Sequence, residues 1–201
     1  MRRDEFQCDD TELAATMLNA MPFGTMIIPD TPLPYAVPIS FCFDKNYADK
    51  GGVYFHGAKS GRKFELLKNE PKVSFSAVMP YSYIPSSFLG GKMTPTQFFF
   101  SVFIEGDFVV VEDLAQKADI LSALVRKYEP QKAEFSLPNS VFAGAEKGVF
   151  IGVIKVQTLS AKAKFGQNMN QNAFENLMHD LQTRATTLDK ETLNLMKHFR
   201  R

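Results

Sequence analysis

Tryptophan is absent, and cysteine and histidine are scarce, with two and three residues. Cys8 and Cys42 stand alone and form no C-x-x-C spacing. Two thiols in a chain of 201 residues fit a reducing compartment better than a disulfide scaffold. No pair among His56, His179 and His198 has metal-ligand spacing, so no metal is expected. No apolar run approaches the roughly 18 residues of a membrane span, and no membrane partner is expected. An excess of one charge is also missing: 23 basic residues face 22 acidic ones. That balance gives no reason to expect nucleic acid. The first residues, Met1-Arg2-Arg3-Asp4-Glu5, have no apolar stretch behind them, so a cytoplasmic location is expected. Neither a G-x-x-x-x-G-K-[ST] loop nor a nucleophile motif occurs.

What the sequence does have is phenylalanine: 19 residues, many in short extended-looking runs. That points to a β-rich core. A capped amphipathic helix is expected after Asp9-Asp10, ending at Pro22. Strands are expected over 23–28, 35–43, 52–55, 72–79, 97–111 and 148–159. Pro38 inside the second marks an edge, a bulge or a special purpose. A short helix over 62–69 follows a small polar loop, and residues 80–96 read as a long loop. A longer helix opens at Glu112-Asp113, and two helices follow from about residue 172. The short connections favour antiparallel pairing, hence a mainly β (α+β) barrel or meander with peripheral helices. No composition shift divides the chain, so one domain over residues 1–201 is expected, with a helical C-terminal extension over about 170–201.

The segment from Tyr54 to Lys63 carries the chemistry. A strand delivers the chain to His56, small residues allow tight turns, and a helix follows at once. Lys59, Arg62 and Lys63 add three cations within five residues, and Ser60 adds a hydroxyl donor. A phosphate monoester would find neutralising charge and donors together, and arginine can grip it with two parallel hydrogen bonds. A solvated basic turn has the same composition, and the residues alone leave both readings open.

Several motifs taken in order resemble a known family. Met1-Arg2-Arg3, Tyr35-x-Val37-Pro38-x-Ser40-Phe41, Tyr54-Phe55-His56-Gly57-Ala58, Gly61-Arg62-Lys63 and Asn69-x-Pro71-Lys72-Val73-x-Phe75 are similar to the FMN-binding split-barrel superfamily. That superfamily includes pyridoxamine 5'-phosphate oxidase, and the nitroimidazole-resistance (Nim) type is the subgroup this chain most resembles. The resemblance implies a homodimer with FMN at the subunit interface. Val37, Pro38, Ile39 and Ser40 would run along the isoalloxazine ring. Phe55 and His56 would lie near the ribityl chain and ring, with His56 the candidate for direct chemistry. Lys59, Ser60, Arg62 and Lys63 would hold the phosphate. Ser101 sits where pyridoxamine oxidases place a flavin-contacting glutamine. Lys164, Gln167 and Asn168 belong to a K-x-K-x-x-Q-N pattern that lies near a partner's flavin in some relatives, and a basic turn explains them equally well. The long loop over 80–96 either covers the flavin face or packs its aromatics on the barrel.

The sequence departs from pyridoxamine phosphate oxidase. Residues 35–41 contain no arginine or lysine, and the chain ends Lys197-His198-Phe199-Arg200-Arg201, without that enzyme's substrate-binding strand. The resemblance therefore implies a different FMN-dependent oxidoreductase, akin to nitroreductases or flavin reductases. It would pass electrons from a donor to a small planar acceptor such as a nitroaromatic. The alternatives are a non-enzymatic flavin-binding sensor or regulator, and a haem-binding relative. Because the flavin brings its own redox chemistry, a catalytic triad is not needed.

Overall fold

The computed structural model describes residues 3–132, 135–136 and 148–200. Met1 and Arg2 of the opening motif lie outside the described residues. The described chain forms two compact units. One takes residues 11–77 and 103–159; the other takes residues 3–10, 78–102 and 160–200.

The first of these units is the barrel. Helix α1 (Thr11–Ala20) precedes strands β2 (Gly24–Ile28), β3 (Tyr35–Ile39), β4 (Cys42–Asp44) and β5 (Gly52–Ala58). Helix α2 (Arg62–Leu67) follows, then β6 (Lys72–Ile84), β7 (Thr96–Val110), helix α4 (Leu114–Tyr128) and β8 (Val149–Lys164). The strand order is β3-β2-β6-β7-β8-β5-β4, so β3 and β4 are the two ends of the path. A flat sheet of seven strands would hold its end strands about 29 Å apart, at about 4.8 Å per step. Yet Ser40 and Phe41 alone join Ile39 to Cys42, a reach of at most about 11 Å. The sheet must therefore curl until its ends meet, giving an antiparallel barrel split at the β3/β4 seam.

Side chains close that seam. Tyr128 Oη accepts from Phe41 N at 2.9 Å and donates to Pro22 O at 2.5 Å. Lys127 Nζ donates to Phe41 O at 2.6 Å and lies 3.7 Å from the Phe41 ring centroid. The last turn of α4 thus satisfies both backbone groups of the residue at which the sheet breaks.

The barrel core explains the phenylalanine content. Phe55 and Phe108 are fully buried and Phe150 nearly so; Phe55 and Phe150 meet edge to face with centroids 5.9 Å apart. Pro38 pairs with Thr25 on an end strand, where a missing backbone donor breaks no ladder on the outer side. The expected single strand over 35–43 is two strands, interrupted at the seam. The expected short strand at 52–55 runs on to Ala58, because its ladder with β8 continues from Gly52↔Lys155 to Ala58↔Val149.

The second unit contains β1 (Gln7–Cys8), the far part of β6, the near part of β7, the end of β8 and the helical turn α3 (Phe88–Gly91). Helices α5 (Gln171–Arg184) and α6 (Thr187–Phe199) complete it. Asn170 caps α5, and Thr186 with Asp189 forms a capping box on α6. The expected loop over 80–96 starts later than the sequence suggests. Its first five residues continue β6, because Tyr81, Ser82 and Ile84 are buried and Ser82 bonds to α6. Tyr81 packs edge-on against Phe165 at 5.2 Å, so it serves this unit's core.

Candidate functional site

The loop from β5 to α2 is the site's centre. His56 stands near the end of β5 with its side chain exposed, while neighbouring Phe55 is buried in the barrel. Any contact that Phe55 makes with a surface ligand is therefore through its backbone. The same holds for Ile39, which is buried, whereas Pro38 and Ser40 are exposed and Val37 is half-buried. The Ser40 hydroxyl also lies beside the Tyr128 phenol of the seam.

Lys59 N donates to Gly148 O at 3.0 Å, which pins the start of the loop to β8. Lys59 and Ser60 expose their side chains. Gly61 precedes α2 with φ of 85°, a conformation that disfavours a side chain. It supplies no side-chain cap, so the first amides of α2 depend on an outside acceptor or water. The helix has six residues, so its dipole adds little.

The two cations of α2 have different surroundings. Arg62 donates to Asp30 Oδ2 from Nε at 3.0 Å and from Nη2 at 2.6 Å, and its guanidinium sits 4.8 Å from the Tyr35 ring centroid. The pair holds the Asp30 carboxyl below the usual carboxylate range. It also ties the phosphate-type loop to the first residue of β3, the strand expected to carry the flavin ring. Nothing local in the sequence announces this pairing, because Asp30 lies in the turn before β3, 32 residues from Arg62.

Lys63 has no carboxylate partner among the described residues. Its Nζ lies 5.9 Å from the ring centroids of both Phe55 and Phe150. Partial burial lowers its pKa from the ordinary lysine value. The space it occupies exists because residue 57 is glycine: a β-carbon there would stand 2.9 Å from Lys63 Nζ and 2.8 Å from Phe150. His56 is also held below its ordinary value, first by partial desolvation and then by the charge of Lys63. Histidine and lysine thus share one field in which an anion is welcome. A partly dry ammonium with no carboxylate partner among the described residues, together with the exposed Lys59 and Ser60 of the preceding loop, is a donor set that fits a phosphate monoester.

The other expected site residues lie in the second unit. Ser101 is half-buried on β7. Lys164 ends β8 and donates to Thr96 Oγ1, so the K-x-K segment is strand and not turn. Gln167 closes its own turn: Oε1 accepts from Phe165 N at 2.7 Å and Nε2 donates to Ala163 O at 2.8 Å. Its amide is taken by the backbone. Asn168 is exposed. Among the described residues no cluster of His, Cys, Asp and Glu could hold a metal ion, and no helix is long and apolar enough to cross a membrane.

Residues 1–158 match the family model described as "Putative FMN-binding domain". The protease synthase and sporulation protein PAI 2 of Bacillus subtilis (strain 168) is 25% identical over 181 residues, covering 87% of this chain and 86% of that protein. Among solved structures, the flavocytochrome Anf3 from Azotobacter vinelandii superposes with a TM-score of 0.65 at 22% identity, covering 83% of this chain and 72% of that one. The FAD and heme binding protein from Mycobacterium smegmatis gives 0.63 at 19% identity, covering 80% and 74%. A "putative 5-nitroimidazole antibiotic resistance protein" from Bacteroides thetaiotaomicron gives 0.62 at 19% identity, covering 78% and 85%. These structures share the split-barrel fold. Because the family model matches residues 1–158, most of its length, the chain belongs to that FMN-binding family, and its cofactor is FMN.

Proposed function

We propose that the protein is an FMN-dependent oxidoreductase that moves electrons from a nicotinamide-type donor to a small planar acceptor, with nitroaromatic compounds as the acceptor class to test first. When bound, FMN supplies the electron-transfer chemistry; the chain binds it, orients it and controls access. In this reading Lys63, Lys59 and Ser60 hold the phosphate. Arg62 joins them by sharing or exchanging its Asp30 partner. The outer edge of β3, from Val37 to Ser40, offers backbone groups to the polar edge of the ring. His56, in the field of Lys63, is the candidate for direct chemistry.

The observation that carries this reading is the uncompensated Lys63 ammonium on a surface where His56, Lys59 and Ser60 are all exposed. A flavin laid on so open a face needs a second wall, which supports a homodimer with Lys164 and Asn168 of a partner copy near the flavin. An open face also gives planar acceptors access. The test is to load the protein with FMN and follow NADH and NADPH oxidation with and without a nitroaromatic acceptor. Acceptor-dependent oxidation is expected; FMN-loaded protein that turns over neither donor counts against the oxidoreductase.

A second reading has its own support. The Bacillus subtilis relative is named for protease synthesis and sporulation, which favours a flavin-binding regulator without turnover. In that case the loop still binds FMN and the turnover assay is silent. A haem reading draws on the two haem-associated structural relatives. It would need an axial ligand, and the three candidate histidines, His56, His179 and His198, all stand exposed. The visible spectrum of the purified protein separates flavin from haem.

A further inference from the structure

Within the first unit, a groove of about 640 Å³ lies between α4 and the antiparallel pair β4–β5. Its floor is the top of a buried cluster: Cys42, Tyr54 and Ile120 belong to one hydrophobic core with Leu124, Ile151 and Val153. Ala123 lines the groove midway along α4, and its small side chain leaves the space above the floor open.

The charges along α4 are set out end to end. Asp119 and Arg126, both lining the groove, are seven residues apart. That is close to two full turns, so they stand on one line of the helix with a rise of about 10.5 Å between them. Opposite charges pair along a helix at spacings of three or four residues, and these two stand beyond that reach. Among the described residues, neither forms an ion pair with any other group. Lys127, next to Arg126, lines the groove as well and also lacks an ion pair among the described residues. Its ammonium donates to Phe41 O at 2.6 Å and has two further N–H groups to give. Burial lowers its pKa, and a neighbouring carboxylate would offset that cost.

Polar groups on the opposite wall are spent internally. Asn19 uses both atoms of its amide on the Phe43 backbone, each at 2.8 Å. Asp44 accepts from Tyr54 Oη at 3.1 Å and from Asn46 N at 2.9 Å. The groove therefore offers a carboxylate at one end, two cations at the other and an apolar floor between them. A single amino acid carries both of its charges on one α-carbon and cannot reach both ends. An extended peptide advances about 3.4 Å per residue, so three residues span about 10 Å.

We propose that this groove binds a short peptide with free ends, about three residues long. Its ammonium sits on Asp119, its carboxylate on Arg126 and Lys127, and an apolar central side chain lies over Cys42, Tyr54 and Ile120. The site goes beyond the flavin reading, because it uses neither the loop from β5 to α2 nor the outer edge of β3.

The experiment is a calorimetric titration of the full-length, FMN-loaded protein with the tripeptide Ala-Leu-Ala. The N-acetylated peptide lacks the ammonium and the C-terminal amide lacks the carboxylate. Each is expected to bind about ten-fold more weakly than the free peptide, the scale of one charge-assisted contact. Free leucine should bind more weakly still. Asp119→Asn should bind the free and acetylated peptides alike while still preferring the free carboxylate. Arg126→Met should show the reverse pattern, with a reduced preference for the free carboxylate and an intact preference for the free ammonium. Arg126→Lys should keep both preferences, and FMN content should match the parent in all three variants. No binding at millimolar peptide, or capped peptides that bind as tightly as the free one, overturns the proposal. A uniform loss for all peptides in Asp119→Asn and Arg126→Met does the same, because it reports a loosened helix and not two charge contacts. Competition between the peptide and FMN also overturns it, since the groove would then belong to the flavin site.

Discussion

Lys127 Nζ donates to the Phe41 carbonyl at 2.6 Å while lying 3.7 Å from the centroid of the Phe41 ring, so one ammonium satisfies both the backbone and the aromatic face of a single residue. Phe41 is where the sheet's end strands meet, and its amide is held by Tyr128. Tyr128→Phe leaves that amide without its acceptor and Pro22 O without its donor. The expected cost is about 1–3 kcal/mol, read as a lower midpoint in urea with an unchanged slope.

The same lysine has a pH signature. Burial lowers its pKa to about 8, against an ordinary value of 10.5. Between those values the folded protein has released a proton that the unfolded chain still binds. Stability from this group therefore rises as pH climbs from about 8 to about 10.5, as the cost of burying the charge is removed. Other groups titrate in that window, so the measurement is the stability difference between parent and Lys127→Met. It should shift in the parent's favour by on the order of 1 kcal/mol across the window, after allowance for solvent screening. A difference that is flat with pH contradicts the burial of a charged Lys127.

The loop cations are expected to separate. Lys63→Ala removes the unpartnered ammonium and should weaken FMN binding by about 1.5–3 kcal/mol. Arg62→Ala should cost less, because Arg62 already spends two donors on Asp30. Asp30→Asn frees the guanidinium and should leave FMN affinity equal or raised. Isothermal titration with FMN on the three variants decides the ranking. Equal losses in Lys63→Ala and Arg62→Ala, with a further loss in Asp30→Asn, would assign the phosphate grip to the Arg62–Asp30 pair instead.

Much of the fold around this loop was readable before any coordinates. Hydrophobic alternation placed most strands, and the order of the motifs placed the loop between β5 and α2. What local pattern leaves unread shares a physical cause. Ser40-Phe41 reads as uninterrupted strand because its residues suit one; only the requirement that both sheet ends meet there breaks it. Side-chain type does not reveal that the Gln167 amide turns back on Phe165 and Ala163. Asp30 was invisible because an ion pair spanning 32 residues leaves no local pattern. Residues 80–84 seemed loop-like from proline and tyrosine content, yet bonds from Ser82 to α6 hold them in β6.

Gly57 should prove intolerant of a side chain. A β-carbon would approach Lys63 Nζ to 2.9 Å and Phe150 Cε1 to 2.8 Å. The lysine end is flexible and can move away, but Phe150 is packed against Phe55 and Phe108. Gly57→Ala is therefore expected to cost about 1–3 kcal/mol of stability from overpacking. It should also weaken FMN binding by displacing Lys63. Wild-type FMN affinity in a well-folded Gly57→Ala protein would show that the position of Lys63 over Phe55 and Phe150 does not matter for the phosphate.

The strongest acid dependence should come from Asp189. Its side chain is fully buried, accepts from Arg184 at 2.5 and 2.9 Å and from Ser82 Oγ at 2.6 Å, and takes the Thr186 amide at 3.0 Å. Burial alone would raise its pKa, but these bonds outweigh burial and hold the carboxyl well below the usual range. A carboxylate with a depressed folded pKa contributes stability that is fully present above its unfolded value, about 3.9. That contribution is lost as pH falls from there toward the folded pKa. Asp189→Asn removes the charge and leaves Arg184 facing a neutral amide, with an expected cost of about 3–5 kcal/mol at neutral pH. The cost should shrink below pH 4, as the parent loses its own advantage. Urea melts of parent and Asp189→Asn at neutral pH and near pH 3 test this, and a penalty as large in acid as at neutrality would mean that the carboxylate's charge is not what holds α6 to β6.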